Sequence, residues 1–293
     1  MYAPICLFTY NRTFETQQTV KALQRNKLAA FSELFIFSDG AKNELDSQNV
    51  NEVRKYIRSV SGFKTIEIIE SPVNKGLANS IIEGITQIIK RYGKVIAMED
   101  DLISSPNFLD FMNQALNLYQ FNKKIFSISG YTFDLTTLKG YPKDFYLGFR
   151  ASSWGWGTWD DRWMDIDWSM KEYNTFKWKL IMQYKFTRGG SDLPYMLWKQ
   201  MNRKIDSWAI RWCYHQFIKD QLTVFPTKSK IQNIGFGQDA THTKGTKHPF
   251  TELDIGNQIN FEFNQNILQN SKLEKEFKEN FSFYNRLVKK LLY

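Results

Sequence analysis

The chain has 293 residues, a formal net charge of +9, 42% hydrophobic and 24% charged residues. That composition is globular rather than disordered, and the length allows one large domain or two small ones. Lys and Arg are scattered, with no arginine-rich arm and no zinc-finger spacing, so nucleic acid is not an expected partner. No apolar run approaches the ~20 residues of a membrane helix. Met1 leads straight into APICLFTYNR, without the basic and apolar regions of a signal peptide. The two cysteines, Cys6 and Cys213, stand in apolar surroundings without a CxxC pattern. They read as buried free thiols in a reducing compartment, so a cytosolic protein is expected.

Along the first half, strand and helix patterns alternate. PICLFTY (4–10) is a short β-prone run, and residues 11–26 follow with helical spacing in which Phe14, Val20 and Leu23 are expected on one face. ELFIFSD (33–39) is a second strand. Residues 47–60 predict a helix carrying Val50, Val53, Ile57 and Val60 at steps of three and four. KTIEIIES (64–71) is a third strand, 76–92 a helix, and KVIAMED (94–100) a fourth strand. Residues 105–120 predict a helix with Ser105 as N-cap and Pro106 in its first turn. This alternation predicts an α/β fold with a largely parallel sheet flanked by helices. Ligands bind such sheets beyond the carboxyl ends of the strands, which gathers Thr9, Tyr10, Asn11, Asp39 and the carboxylates 99–101 on one rim.

The second half is less regular. Residues 130–168 are rich in glycine and aromatics, like loops lining an acceptor cleft, and helical stretches follow near 169–185 and 207–219. No repeat or low-complexity linker separates the halves. One domain is expected over 1–272, with a nucleotide-type half (1–129) and a loop-rich half (130–272), closed by a basic amphipathic helix over 273–293.

Glu99, Asp100 and Asp101 end the fourth predicted strand. Adjacent carboxylates repel, so the triplet costs stability unless positive charge meets it. Mg²⁺ or Mn²⁺ would do so, sharing its shell with substrate phosphates. A solvated turn or the acidic start of a helix is the plainer alternative.

PICLFTYNR, IFSDGA, NKGLANSI and VIAMEDDLISSPNFLDFM, in this order, resemble nucleotide-sugar glycosyltransferases of the GT-A fold. The likeness is to the N-acetylglucosaminyltransferase I type and its bacterial relatives, with EDD in place of the DxD motif. It covers residues 3–120 and continues in patches through GWGTW, KIDSWAIRW and NIGFGQDATHTKG. The resemblance implies that Thr9, Tyr10, Asn11 and Arg12 lie against the base and diphosphate of a nucleotide-sugar, most readily UDP-linked. It implies that Asp39 bonds the uracil or ribose, that Asn74, Gly76 and Asn79 border the nucleotide, and that Lys75 meets a phosphate. Glu99 and Asp100 would face ribose and sugar, and Asp101 would ligate the metal. Seen alone, 74–76 is also a plain turn before a helix.

Transfer to a hydroxyl needs a base and a neutralised leaving group. The base candidates are Asp160, Asp161, Asp165, Asp167, Asp192 and Asp206. Asp206 sits beside a predicted N-cap, where simple capping is the bland role; its segment resembles the one that carries the family's catalytic aspartate. Asp161 is second, with pairing to Arg162 or Lys171 as its bland role. His242 lies in a glycine-rich loop and reads alone as an exposed histidine. The resemblance makes it a metal or phosphate contact in a lid, with Lys244 beside it. His215, in a helical stretch, reads as packed or capping. Trp154, Trp156, Trp159, Trp163 and Trp168 form a core cluster or a stacking wall, with Trp154 and Trp156 nearest the sugar. In the tail, Phe277, Phe281, Tyr284, Val288 and Leu291 recur at helical spacing with Arg286, Lys289 and Lys290. That helix either packs on the domain or rests on an anionic membrane, which would suit a lipid-linked saccharide acceptor.

The function expected is therefore a metal-dependent, inverting glycosyltransferase in polysaccharide or glycan assembly. Two other classes stay open: a non-catalytic sugar-nucleotide or carbohydrate-binding module, and a nucleotidyltransferase. The latter class usually opens with a glycine-rich basic loop, which TYNRTFETQQ lacks.

Overall fold

The structure, a computed structural model, describes residues 1–235, 251–265 and 269–282. The strands are β1 (Ile5–Thr9), β2 (Glu33–Ser38), β3 (Thr65–Glu70), β4 (Lys94–Glu99), β5 (Leu102–Ser104), β6 (Ile125–Ser129), β7 (Phe145–Gly148), β8 (Trp156–Trp159), β9 (Leu222–Pro226) and β10 (Ile231–Asn233). The helices are α1 (Thr13–Gln24), α2 (Glu44–Ile57), α3 (Leu77–Tyr92), α4 (Phe108–Leu118), α5 (Asp160–Trp163), α6 (Tyr173–Phe176), α7 (Leu180–Phe186), α8 (Leu193–Met201), α9 (Trp208–Ile218) and α10 (Ser271–Asn280).

Eight strands form one sheet in the order β3-β2-β1-β4-β8-β6-β9-β7, and β5 pairs with β10 in a small second sheet. β1, β2, β3, β4, β6 and β9 run one way; β7 and β8 run against them. The expected α/β class, a mixed and mostly parallel sheet between helices, is present. β1, β2 and β4 carry near-continuous apolar runs because both faces are covered, whereas the edge strand β3 alternates and stays partly exposed. Alternate residues serve the two faces. Ile5, Leu7, Leu34, Ile36, Ile96 and Met98 enter a core shared with α1, α2 and α4. Cys6, Phe8, Phe35, Phe37, Val95 and Ala97 enter another, shared with α3 and α9. Both thiols are buried and free, as expected.

Helix ends follow local chemistry. Asn43 caps α2 by accepting from the Asp46 N–H at 3.0 Å, and α3 stops at Gly93 with φ of 71°. Ile81, Ile85, Ile88 and Ile89 bury the face of α3, each contributing about 1.5–3 kcal/mol.

Several sequence expectations are corrected. Phe14 is exposed, because it lies about 120° around the helix from Val20 and opposite Leu23. α4 begins at Phe108 with Asn107 at the cap; Ser105 is buried and turns its hydroxyl to Asn107. The supposedly loop-rich half supplies β8, which inserts between β4 and β6, so strands from both sides of residue 130 share one sheet. α10 packs Leu273 and Phe277 beside Phe225 and Tyr146; the tail beyond Ser282, with Tyr284, Val288 and Leu291, lies outside the described residues. Among the described residues no helix is long and apolar enough to cross a membrane.

Candidate functional site

The chain lays down β1, β2 and β3 outward on one side, then returns to place β4 against the other side of β1. This reversal makes a crevice at the carboxyl ends of β1 and β4. Phe8 stands opposite Glu99 in the register, so the β1 exit (Thr9 to Arg12) faces the β4 exit (Glu99 to Asp101). The expected convergence is there.

The carboxylates meet an internal cation. Arg12 Nη2 donates to Asp100 Oδ1 at 2.5 Å and to Asp101 Oδ2 at 3.0 Å. The Tyr10 N–H reaches Asp100 Oδ2 at 3.3 Å, and the Thr19 hydroxyl donates to the Asp100 carbonyl at 2.8 Å. On the other side the end of β10 closes in. Asn233 Nδ2 lies 3.4 Å from Asp101 Oδ1, and the Ile234 N–H donates to the Asp101 carbonyl at 2.8 Å. Only glycine fits next: a Cβ on Gly235 would stand 2.0 Å from Asp101 Oδ2. Residues 236–250, with His242 and Lys244, lie outside the described residues.

Burial, with help from the Asp101 and Asp100 charges, pushes the Glu99 carboxyl up to about 8. Burial raises Asp100 to about 6 against the pull of Arg12, and raises Asp101 likewise. Burial works against the Arg12 charge, but the two carboxylates more than offset it. At neutral pH Glu99 therefore holds a proton and can donate a hydrogen bond. Asp100 and Asp101 share one guanidinium.

Two carboxylates suffice for Mg²⁺ or Mn²⁺ when phosphate and water complete the shell. Among the described residues no three His, Cys, Asp or Glu side chains group around an ion. The hard carboxylate oxygens of Asp100 and Asp101 are of the kind that a divalent cation takes.

The other predicted residues form the crevice wall, mostly through the backbone. Asp39 accepts from the N–H groups of Gly40, Lys75 and Gly76, each at 2.9 Å, tying the β2 exit to the turn before α3. Asn74 Nδ2 donates to the Gly40 carbonyl at 2.8 Å and Asn79 Nδ2 to the Lys75 carbonyl at 2.9 Å. Lys75 turns to exposed Glu83, 2.6 Å away. Tyr10 and Asn11 both donate to Asp46, at 2.9 and 3.0 Å. The Thr9 hydroxyl donates to the Phe37 carbonyl at 3.2 Å. Sequence reasoning missed Asp46, Thr19, Asn233 and Arg54, whose guanidinium reaches the carbonyls of Asp39 and Ser71. Nothing local in the sequence marks them.

β8 runs antiparallel to β4, which sorts the aspartates. Asp160 and Asp161 follow Trp159, opposite Lys94 at the amino end of β4, and Asp161 pairs with Arg162 and Lys123. That is the wrong edge of the sheet for the base. Asp165 pairs with Lys219 at 2.5 Å, Asp167 accepts from Ser169 and Lys171, and buried Asp192 pairs with Arg150. His215 is 3.6 Å from Asp165, and burial lowers its imidazole pKa against the pull of that carboxylate. Asp206 precedes α9 and is 68% exposed, with Arg211 at 3.8 Å. Trp208, two residues on, packs 5.2 Å from Trp156, which pairs with Ala97 near the carboxyl end of β4. Asp206 thus stands two residues before the tryptophan that docks the start of α9 on β8. Trp156 itself is 1% exposed and enclosed by Trp163, Trp208 and Trp212, so it is core and not a sugar-stacking surface. Trp154 is partly buried against Tyr131 at 4.6 Å.

Farther along the rim, beyond the ends of β6 and β9, lies a cavity of about 340 Å³. Its walls include Thr132, Phe133, Asp134, Thr227, Lys228 and Glu252.

No protein-family model matches the chain, and no curated protein matches it. Solved structures similar to parts of it include glycosyltransferases and a UDP-glucose pyrophosphorylase. With S. aureus TarS the identity is 14% over 41% of this chain, at a TM-score of 0.32, and the match spans a fifth (20%) of that chain. With the galactosyltransferase LgtC, in complex with donor and acceptor sugar analogs, identity is 10%, coverage 72% and 69%, and TM-score 0.34. With mouse xyloside xylosyltransferase 1 the figures are 10%, 74% and 81%, and 0.34.

Proposed function

We propose that the chain is a GT-A-type glycosyltransferase that moves a sugar, with inversion, from a UDP-linked donor to a saccharide hydroxyl. The observation that carries this reading is the Glu99–Asp100–Asp101 triplet at the sheet's reversal, with Asp100 and Asp101 buried and bridged by Arg12. The nucleotide lies along residues 9–12 and the 39–40 and 74–76 turns, where backbone groups are fixed by Asp39. Protonated Glu99 donates to a ligand oxygen, and Arg12 offers its charge to the diphosphate. A divalent cation held by Asp100 and Asp101, with His242 as the expected further ligand, would neutralise the leaving diphosphate.

Asp206 takes the acceptor proton as the acceptor oxygen bonds to the anomeric carbon and the bond to the diphosphate oxygen breaks on the opposite face. The 340 Å³ cavity, with hydroxyls, charges and one aromatic wall, suits a small polyhydroxylated acceptor. Residues 1–129 serve the donor and 130–272 the acceptor, which belongs to a surface polysaccharide or glycan, free or lipid-linked.

The test is calorimetric titration with UDP, with and without Mn²⁺, on wild type and Asp101→Asn. Micromolar, metal-promoted binding that weakens at least about tenfold in the variant supports the reading. Absence of UDP binding in both conditions refutes it.

A further inference from the structure

The face built by α7, α8 and the turn before α7 is unlike the rest of the surface. Trp178, Leu180, Ile181, Tyr184, Tyr195 and Trp198 are exposed there, from 39% at Trp198 to 78% at Trp178. Leu180, Ile181 and Tyr184 recur at one- and four-residue steps on α7; Tyr195 and Trp198 lie one turn apart on α8, ring-stacked at 5.7 Å. The two helices touch. A cluster of this size is uncommon on a soluble protein without a partner.

Charge identifies the partner. Between residues 177 and 204 there are five lysines, two arginines and one acid, Asp192. Asp192 is buried against Arg150, so it offers the surface nothing. Of the seven basic residues only Arg188 has an ion-pair partner among the described residues, Glu274. Cations flank the rings: Lys177 is 5.6 Å from Trp178, Lys199 is 4.9 Å from Tyr195, and Lys204 is 4.4 Å from Trp198. Lys278 of α10 adds a contact to Tyr184 at 5.5 Å. Protein interfaces are depleted in lysine. Exposed Trp and Tyr interleaved with Lys is the pattern of the lipid–water boundary, where rings sit among headgroups and ammonium groups meet lipid phosphates.

We propose that this face docks the protein peripherally on an anionic lipid surface. It is built by α7 and α8 and stands whether or not the crevice transfers a sugar. Lys204 and Asp206 share the α8–α9 turn, so docking would bring the candidate base close to a substrate presented at the headgroup plane.

Cosedimentation of the full chain with vesicles of phosphatidylcholine alone, and of phosphatidylcholine with phosphatidylglycerol, tests this at low and high salt. Wild type is expected to pellet with the anionic vesicles only, and to be released by salt. The triple change Trp178→Ser, Tyr184→Ser, Trp198→Ser and the reversal Lys177→Glu, Lys179→Glu, Lys185→Glu should each lower the partition coefficient by on the order of tenfold or more, with circular dichroism unchanged. Pelleting with neither vesicle overturns the proposal, as does equal pelleting of wild type and both variants. A wild-type dimer that the aromatic variant dissolves, without lipid binding, overturns it in favour of a second copy of the chain.

Discussion

Arg12 Nη2 lies 3.0 Å from Asp101 Oδ2, joining the exit of the first strand to the exit of the fourth. The same nitrogen holds Asp100. Arg12 therefore fixes the crevice before any ligand enters. Arg12→Met would leave two mostly buried carboxylates facing each other. Breaking such a contact is expected to lower the unfolding free energy by about 2–4 kcal/mol at pH 7. The loss should shrink toward pH 5, because Asp100, already raised to about 6, takes a proton. Urea unfolding at the two pH values checks both parts; an equal loss at each would refute the electrostatic account.

Glu99 gives a pH dependence of defined sign. Its folded value of about 8 stands above its ordinary 4.5. Between these values the folded state keeps a proton that the unfolded chain has lost, so stability falls as pH rises through that window. At about 1.4 kcal/mol per unit, shared with neighbouring charges, the contribution is about 2–4 kcal/mol. Glu99→Gln keeps the shape and removes the titration. Its stability relative to wild type should improve from pH 5 to pH 8.5, and parallel pH profiles would disprove the shift.

These two expectations show what was legible beforehand. The triplet, the strand it ends and the rim it shares with Thr9 and Asp39 follow from apolar periodicity and the α/β rule. Arg12 was legible as a crevice residue, but its contact with residues 88 and 89 positions away is tertiary and leaves no local pattern. β7 and β8 were missed because FYLG and WGTW are four residues long, each with a glycine, too short for a period to show. α8 did have a signal in Asp192 and Pro194 at its start. Asp161 could be set aside only once β8 was known to run against β4.

Lys230 and Asp254 make a pair that is almost fully buried beneath the rim cavity, with Asn107 donating to the same carboxylate at 3.1 Å. Lys230 also lies 4.7 Å from the Phe261 ring. Lys230→Met strands a buried carboxylate and is expected to cost about 3–5 kcal/mol. Adding Asp254→Leu should recover much of that loss, because the penalty comes from the orphaned charge. Thermal unfolding of the two single variants and the double variant decides it: a double variant as unstable as the sum of the single losses would show that Lys230 and Asp254 do not interact, and would refute the orphaned-charge account.

Asp206, proposed as the base, has the exposure a base needs, without the strong pairing that occupies Asp161, Asp165 and Asp192. Asp206→Asn should leave the fold and UDP affinity intact, because among the described residues the side chain pairs only with Arg211, at 3.8 Å. It should lower turnover by on the order of 10²–10⁴ with a donor and acceptor that the wild type accepts. A base acts in the chemical step, so kcat falls while donor KM changes little. Asp161→Asn, at the opposite edge, should turn over like wild type. Parallel rate measurements on the two variants separate the alternatives: unchanged turnover in Asp206→Asn removes it as the base, and a large loss in Asp161→Asn would contradict the strand direction that places it away from the crevice.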